Sequence, residues 1–258
     1  MPTPDVLIVR APGTNCNEET AYAFEQAGAR TTTAHINRLL ENPALLAQFQ
    51  VFCIPGGFSF GDDVAAGRIL ANQFRQNLAE PLAEFKAADK LILGICNGFQ
   101  VLLRSGLLLE EDSQQGPAAT LTWNTSGRFT DRWVSLATRS SQCVFLRGIE
   151  QMYLPIAHAE GRFVFRNPET QAALDEAGQL ALRYAPDPET PDDPRPANPN
   201  GAQADVAGVC DPSGNVLGLM PHPERHIDPT QHPRWTRRAP CDEGDGLQLF
   251  RNAVEHFK

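Results

Sequence analysis

The 258-residue chain has no apolar run approaching the roughly 20 residues needed to span a bilayer. Its start, Met1-Pro2-Thr3-Pro4-Asp5, offers neither a basic segment nor an apolar one, so no secretory signal is expected and a cytoplasmic location is. Positive charge is scarce: 22 Lys and Arg face 31 Asp and Glu, for a net charge of −9. The pair Arg237-Arg238 is too short to make a basic patch, which argues against a nucleic-acid surface. The six cysteines are dispersed, none closer than Cys210 and Cys241, so there is no C-x-x-C motif and no zinc-knuckle spacing. A dense disulfide framework is excluded as well; free thiols and no metal site are the expectation. Neither an internal repeat nor a separating linker is visible. One domain spanning residues 1–258, with an ordinary core, is therefore expected.

What is present, in the first half, is an alternation of short apolar runs with helical stretches. Asp5–Arg10, Thr31–Ile36, Val51–Pro55 and Leu91–Ile95 read as strands. Between them, helices are expected over Glu18–Ala27, ended by Gly28, over Pro43–Phe49, and over Val64–Ala88 with a break before Pro81. Another covers Asn97–Arg104. Short buried runs separated by helices imply an α/β fold, with a mostly parallel sheet and helices on both faces.

The second half is less regular. Arg128–Thr138 and Tyr153–Phe165 have strand character, and Glu169–Ala177 is helical. Residues 186–200 hold six prolines, four acids and one arginine, the composition of a surface loop. Val206–Cys210 and Val216–Met220, joined by Asp-Pro-Ser-Gly-Asn, predict a hairpin, and the chain ends in a helix over Leu247–Phe257.

The chemistry concentrates in Gly94-Ile95-Cys96-Asn97-Gly98. A buried strand ends in a cysteine flanked by glycines at −2 and +2, and a helix starts at once, which is the form of a nucleophile elbow. A thiol there stands clear of the sheet, at a helix N-terminus that favours thiolate. The alternative is a structural cysteine in a strand-to-helix turn. Acyl transfer also needs oxyanion donors: the N–H of Asn97 follows the nucleophile, and the loop Gly56-Gly57-Phe58-Ser59-Phe60-Gly61 suits a second. That loop lacks the Gly-Lys-Ser/Thr ending of a phosphate-binding loop. For a base, His222 follows the apolar run Val216–Met220. Pro223 pushes it toward extended backbone, which would put Glu224 on the same side to orient the imidazole. His158 and Glu160 form a similar pair, as pocket lining or as a rival base and orienter. Cys16 is the rival thiol; without flanking glycines, packing or a supporting role is expected of it.

The motifs GICNGFQVL, PGGFSFGDD, PIAHAEGRF, NPNG and GNVLGLMPHPER together resemble class I glutamine amidotransferases. Within that class the chain is similar to the glutaminase subunits of phosphoribosylformylglycinamidine synthase, from APGTNCNEET to GDGLQLFRNA. The resemblance implies a flavodoxin-like fold and a triad on Cys96, His222 and Glu224. It further implies an oxyanion hole from backbone at Gly57, Phe58 and Asn97, and a part for Gln100 in holding glutamine. Glutamine would be hydrolysed through a thioester, and ammonia passed to a synthetase subunit of the purine pathway, with a small third subunit open. No cofactor is implied on this chain; ATP and magnesium would belong to the synthetase.

Two features depart from that pattern. The chain reads His158-Ala159-Glu160-Gly161 where His-Gly-Glu-Gly is frequent, and residues 186–200 and 226–241 do not match small subunits. Arg234, Arg237 and Arg238 in the second stretch are expected either to dock on an acidic partner surface or to lie in a solvated loop. Two rival functions also stand: a thiol hydrolase or chaperone-like protein lacking a Glu-oriented histidine, and a non-catalytic regulatory subunit. His222-Pro223-Glu224 speaks against the first, and an intact set of three against the second.

Overall fold

A strand apolar at every position must lie inside a sheet covered on both faces. The computed structural model, which describes residues 3–140, 142–239 and 241–258, places four such strands side by side. The first half runs β1 (Asp5–Arg10), α1 (Asn17–Gln26), β2 (Arg30–His35), α2 (Ile36–Glu41), β3 (Val51–Ile54), α3 (Arg68–Asn77), α4 (Ala79–Ala87), β4 (Leu91–Ile95) and α5 (Asn97–Ser105). Short strands β5 (Glu111–Asp112), β6 (Gly116–Pro117) and β7 (Ala119–Thr122) follow. Then come β8 (Thr130–Thr138), β9 (Gln151–His158), β10 (Arg162–Phe165), α6 (Pro168–Glu176), β11 (Leu182–Ala185), β12 (Val206–Cys210), β13 (Val216–Leu219) and α7 (Leu247–Glu255).

The main sheet has the order β2-β1-β3-β4-β13-β12-β11-β8-β9. From β2 to β13 every neighbour is parallel. From β13 to β9 every neighbour is antiparallel. The fold is α/β, with the parallel part built from the alternating half of the chain and joined by β13 from near its end. All residues of β3, β4 and β13 are buried, and α5 lies on all three while α1 and α7 pack together beside β1. Phe24 of α1 meets Phe250 of α7 edge-on, ring centroids 4.9 Å apart. The apolar cluster runs without a break from Val6 to Val254.

Two expectations needed adjustment. The long helix divides at Leu78, and Pro81 sits in the first turn of α4, where its missing N–H costs nothing. The strand expected over Tyr153–Phe165 is two strands in different sheets: β9 ends at His158, and β10 pairs with β7. Between them Gly161 lies against the His158 imidazole, where a side chain would overlap the ring.

The antiparallel part curls over the C-terminal edge of the parallel part. Pro155 O on β9 accepts from the His222 N–H at 2.9 Å, and Ala157 O lies 3.9 Å from the sulfur of Cys96. The two irregular stretches hold each other. Arg234 pairs with Asp187 at 3.3 Å and Glu189 at 3.1 Å, and Arg238 pairs with Glu189 at 3.0 Å. The acidic surface those two arginines meet is therefore this chain's own, and the docking expectation is corrected for them. Beneath, Trp133 stacks on Tyr153 with centroids 5.3 Å apart, and the rings of His226 and His232 complete the cluster.

Packing of α5 on β13 depends on Gly218, because a side chain there would run into the Phe99 ring. Gly218→Ala should lower stability by about 1–3 kcal/mol through overpacking. Adding Phe99→Leu should restore part of that loss, read as a non-additive cycle in urea denaturation.

Candidate active site

Register brings the site together. Gly94 pairs with Ile54 of β3 on one side and with Gly218 of β13 on the other, and Ile95 pairs with Leu219. The loop beginning at Gly56, the turn at Cys96 and the segment reaching His222 thus leave three adjacent strands at one edge. Ligands of open α/β sheets bind beyond such carboxyl ends.

Cys96 turns the chain from β4 into α5 at φ 52° and ψ −104°, left-handed backbone that a non-glycine residue adopts at a cost of about 1–3 kcal/mol. The flanking glycines make this turn possible. A Cβ on Gly94 would stand 2.5 Å from Leu102 Cδ1, and one on Gly98 would overlap the carbonyl oxygen of Ile54. Gly56 matters equally, since a Cβ there would lie 2.7 Å from His222 Cε1.

His222 is extended, φ −105° and ψ 91°, as a residue before proline should be. Pro223–Arg225 then forms a single 3-10 turn. The Glu224 carboxylate reaches the imidazole around that turn rather than along an extended strand. Nδ1 and Oε1 are 2.6 Å apart, both side chains buried. Nδ1 therefore carries the proton toward the carboxylate, leaving Nε2 for chemistry. Nε2 is buried and makes no well-formed hydrogen bond, with the sulfurs of Cys16 and Cys96 both close to it. Burial alone would depress the basicity of His222. The charges of Glu224 and Cys96 and contacts with both sulfurs outweigh it, and the imidazole is held well above its ordinary range. Cys16, His222 and Glu224 each bring one donor atom within 4.8 Å of the others. The carboxylate and Nδ1 are already bonded to each other, so a metal held by all three would have to break that bond.

A cavity of about 270 Å³ opens on Cys96. Gly57, Phe58, Gln100, His158 and Glu160 line it as expected from the sequence, together with Asp62 and Trp123, which the sequence did not single out. Asp62 had one signal, a charge in a glycine-rich loop after a buried strand; Trp123 had none. The Asn97 side chain ties the loop to α5, accepting from Ser59 N–H at 3.2 Å and donating to Asp62 at 3.0 Å and Gln100 at 2.9 Å. Gln100 in turn donates to Glu160 O at 2.7 Å. Of the expected oxyanion amides, that of Phe58 is engaged, donating to Gly13 O at 3.0 Å. Asn97 N–H heads α5, where no intrahelical acceptor exists.

His158 and Glu160 do not act on each other. His158 Nδ1 is 3.2 Å from Asn124 Oδ1, and burial, with the charge of His222, pushes its pKa down to about 3. It is a neutral wall, not a rival base. Cys16 does not line the cavity, and burial raises its thiol above the ordinary range, against the opposing influence of His222 and Arg225. Asp62 moves the other way from a normal carboxylate. Burial and then the charge of Glu160 push its pKa up to about 6, resisted by the Gly67 N–H, Asn97 and Arg104. A larger groove of about 660 Å³, lined by Arg68, Arg75 and Arg104 among others, carries neither cysteine nor histidine.

Residues 3–257 match the family described as the CobB/CobQ-like glutamine amidotransferase domain. The chain belongs to that family. It is 48% identical to the phosphoribosylformylglycinamidine synthase subunit PurQ of Dehalococcoides mccartyi, over 96% of each chain. It is 40% identical to the subunit of that name from Methanococcus maripaludis, over 98% of this chain and 97% of the other. Among solved structures it is similar to PurLQS from Thermotoga maritima, with 30% identity, a TM-score of 0.75 and all of both chains covered. The amidotransferase fold and membership of the phosphoribosylformylglycinamidine synthase branch, both read from the motifs, agree with these relatives. Among the described residues no helix is long and apolar enough to cross a membrane.

The raised Asp62 pKa has a consequence for stability. Between about pH 4 and pH 6 the native chain holds this proton more tightly than the unfolded chain does, so Asp62 removes stability as pH rises through that window. Asp62→Asn should therefore be more stable than the parent at pH 7 and lose that advantage at pH 4, as measured by urea midpoints.

Proposed function

We propose that this chain is the glutaminase subunit of phosphoribosylformylglycinamidine synthase and hydrolyses glutamine through a Cys96 thioester. The observation that carries the reading is the 2.6 Å His222–Glu224 bond, set beside a strained cysteine at a strand-to-helix turn. In this reading the proton of the Cys96 thiol already rests on His222 Nε2, and the thiolate so formed attacks the side-chain carboxamide carbon of glutamine. Asn97 N–H, with a second amide from the Gly57–Phe58 loop, stabilises the oxyanion. The intermediate collapses as His222 protonates the departing nitrogen, releasing ammonia and leaving the thioester. Water, giving its proton to His222, then cleaves the thioester to glutamate and the free thiol. Glu224 keeps the imidazole oriented and balances its charge through both steps.

Substrate recognition follows from the cavity. Asp62 and Glu160 lie at its wall, two carboxylates suited to the α-ammonium of an amino acid. Gln100 and the neutral His158 supply polar, uncharged lining for the rest of glutamine. The cavity is smaller than those of drug-sized ligands, as an amino-acid substrate requires.

Ammonia passes to the synthetase subunit, where ATP and magnesium act; this chain itself needs no cofactor in the reading. Support for activation by docking comes from the Phe58 amide, which is committed to Gly13 O. The exposed side chains of Phe58, Val64 and Trp123 beside the cavity are where a partner would bear on that loop. The reading also takes the chain as one domain, supported by its continuous core, and as cytoplasmic, in keeping with free thiols.

Cys96→Ala should abolish glutamine-dependent synthesis in the complex and spare synthesis from added ammonium. Loss of both would make Cys96 structural. Glu224→Gln should reduce turnover by roughly 100-fold or more with the fold intact, since it removes the charge that orients the base. An unchanged rate would take Glu224 out of the mechanism.

A further inference from the structure

Cys16 belongs to none of the steps above, yet its sulfur is built into the same cluster. It caps α1, its N–H facing Gly56 O at 3.4 Å and its carbonyl accepting from both Thr20 N–H and Thr20 Oγ1, at 3.1 Å and 2.6 Å. Its Sγ accepts from Arg225 Nη2 at 3.2 Å and donates to Asn15 Oδ1 at 3.2 Å. Arg225 is itself held by Glu19 of α1 at 2.7 Å. The sulfur, a ring nitrogen of His222 and a carboxylate oxygen of Glu224 all lie within 4.8 Å of one another. Gly56 leaves the space for this meeting: a Cβ on it would lie 3.2 Å from Cys16 Sγ and 3.4 Å from Cys96 Cβ as well as against the imidazole.

The geometry points to Cys16 as a positioning residue. Clamped by Arg225 and Asn15, its sulfur closes one side of the His222 imidazole, so that Nε2 has Cys96 as its working direction. This rests on the glutaminase reading given above. Three observations set it apart from ordinary packing. The sulfur makes two hydrogen bonds where a core cysteine needs none. The guanidinium that holds it lies on the segment carrying His222 and Glu224, so Arg225 ties the catalytic turn both to Cys16 and to Glu19 of α1. And Nε2 of His222, fully buried without a well-formed partner, is the atom such a clamp would restrain. The charged and titratable groups around that imidazole are Glu224 at Nδ1, Cys96 from the start of α5, Cys16 from the start of α1, Arg225 from the turn after Pro223, and His158 from β9. A neutral thiol beside the ring favours the protonated imidazole without adding a charge.

The test uses the chain in complex with its synthetase partner, with glutamate release and ammonia incorporation as readouts. Cys16→Ala should lower kcat by about 10- to 100-fold with KM for glutamine within about twofold, because a freed ring spends less time aligned. The pH at which His222 loses its proton, followed by imidazole NMR, should fall in the same variant. Cys16→Ser, which keeps size and both hydrogen bonds, should recover most of kcat and of the proton affinity. Arg225→Gln releases the clamp while leaving Cys16 in place, and should move kcat and the His222 titration in the same direction as the alanine variant. It decides the matter if Cys16→Ala fails to fold. Unchanged kcat and unchanged titration in folded Cys16→Ala or Arg225→Gln would overturn the proposal, as would a fall in thermal stability alone. Cys96→Ala separates the two claims. Glutamate release surviving that change defeats the glutaminase reading, whereas its loss beside a normal Cys16→Ala defeats only the positioning role.

Discussion

The parallel register of β3, β4 and β13 is the constraint on which the site depends. With Gly94 level with Ile54 and Gly218, the three chains leave the sheet together, and the glycine loop, the sulfur and the imidazole arrive at one edge. Because side chains alternate along a strand, a slip of one residue would turn every buried side chain of β13 to the other face. Burial of all its positions on a two-sided core, and the fit of Phe99 over Gly218, make such a slip costly. The core thus specifies the site before any catalytic side chain contributes.

At that edge the chain accepts both strain and buried charge. Cys96 sits in left-handed backbone, Glu224 is a buried carboxylate with one oxygen unpartnered, and Asp62 is forced toward its neutral form. These features support one another. The carboxylate of Glu224 is tolerable because the imidazole beside it is easily protonated, and the imidazole is easily protonated because the carboxylate is there. His158, at the end of β9, has no such partner and stays neutral. Two buried histidines near Cys96 thereby behave in opposite ways: the carboxylate beside one offsets its burial, and the other, bonded to an amide, has no such charge.

The antiparallel extension has a different task. β9 crosses the edge, holding the His222 backbone through Pro155 and placing Ala157 and His158 over the sulfur. The two irregular stretches lie outside this, bonded to each other through Arg234, Arg238, Asp187 and Glu189. Partly exposed pairs of this kind contribute little singly, typically below about 1 kcal/mol each. The ring cluster of buried His226 and His232 with half-buried Trp133 and Tyr153 is the firmer anchor for residues 226–239.

Several of these features were legible in the amino-acid order alone. Strands β1, β3 and β4 and the turn at Cys96 could be read there because each is local: an apolar run of fixed length, then glycines two residues either side of a thiol. The pairing of His222 with Glu224 was legible too, though its path was not, since the turn after Pro223 replaces the extended chain that proline spacing implied. Hidden from that reading were the contacts between segments remote along the chain. Nothing near Cys16 announces Arg225, nothing near Arg234 announces Glu189, and nothing near Asp62 announces Glu160. Local patterning determines which residues must be buried and where the backbone must turn. Which polar groups then meet, and hence which protons they hold, depends on distances across the folded sheet that no short stretch of sequence contains.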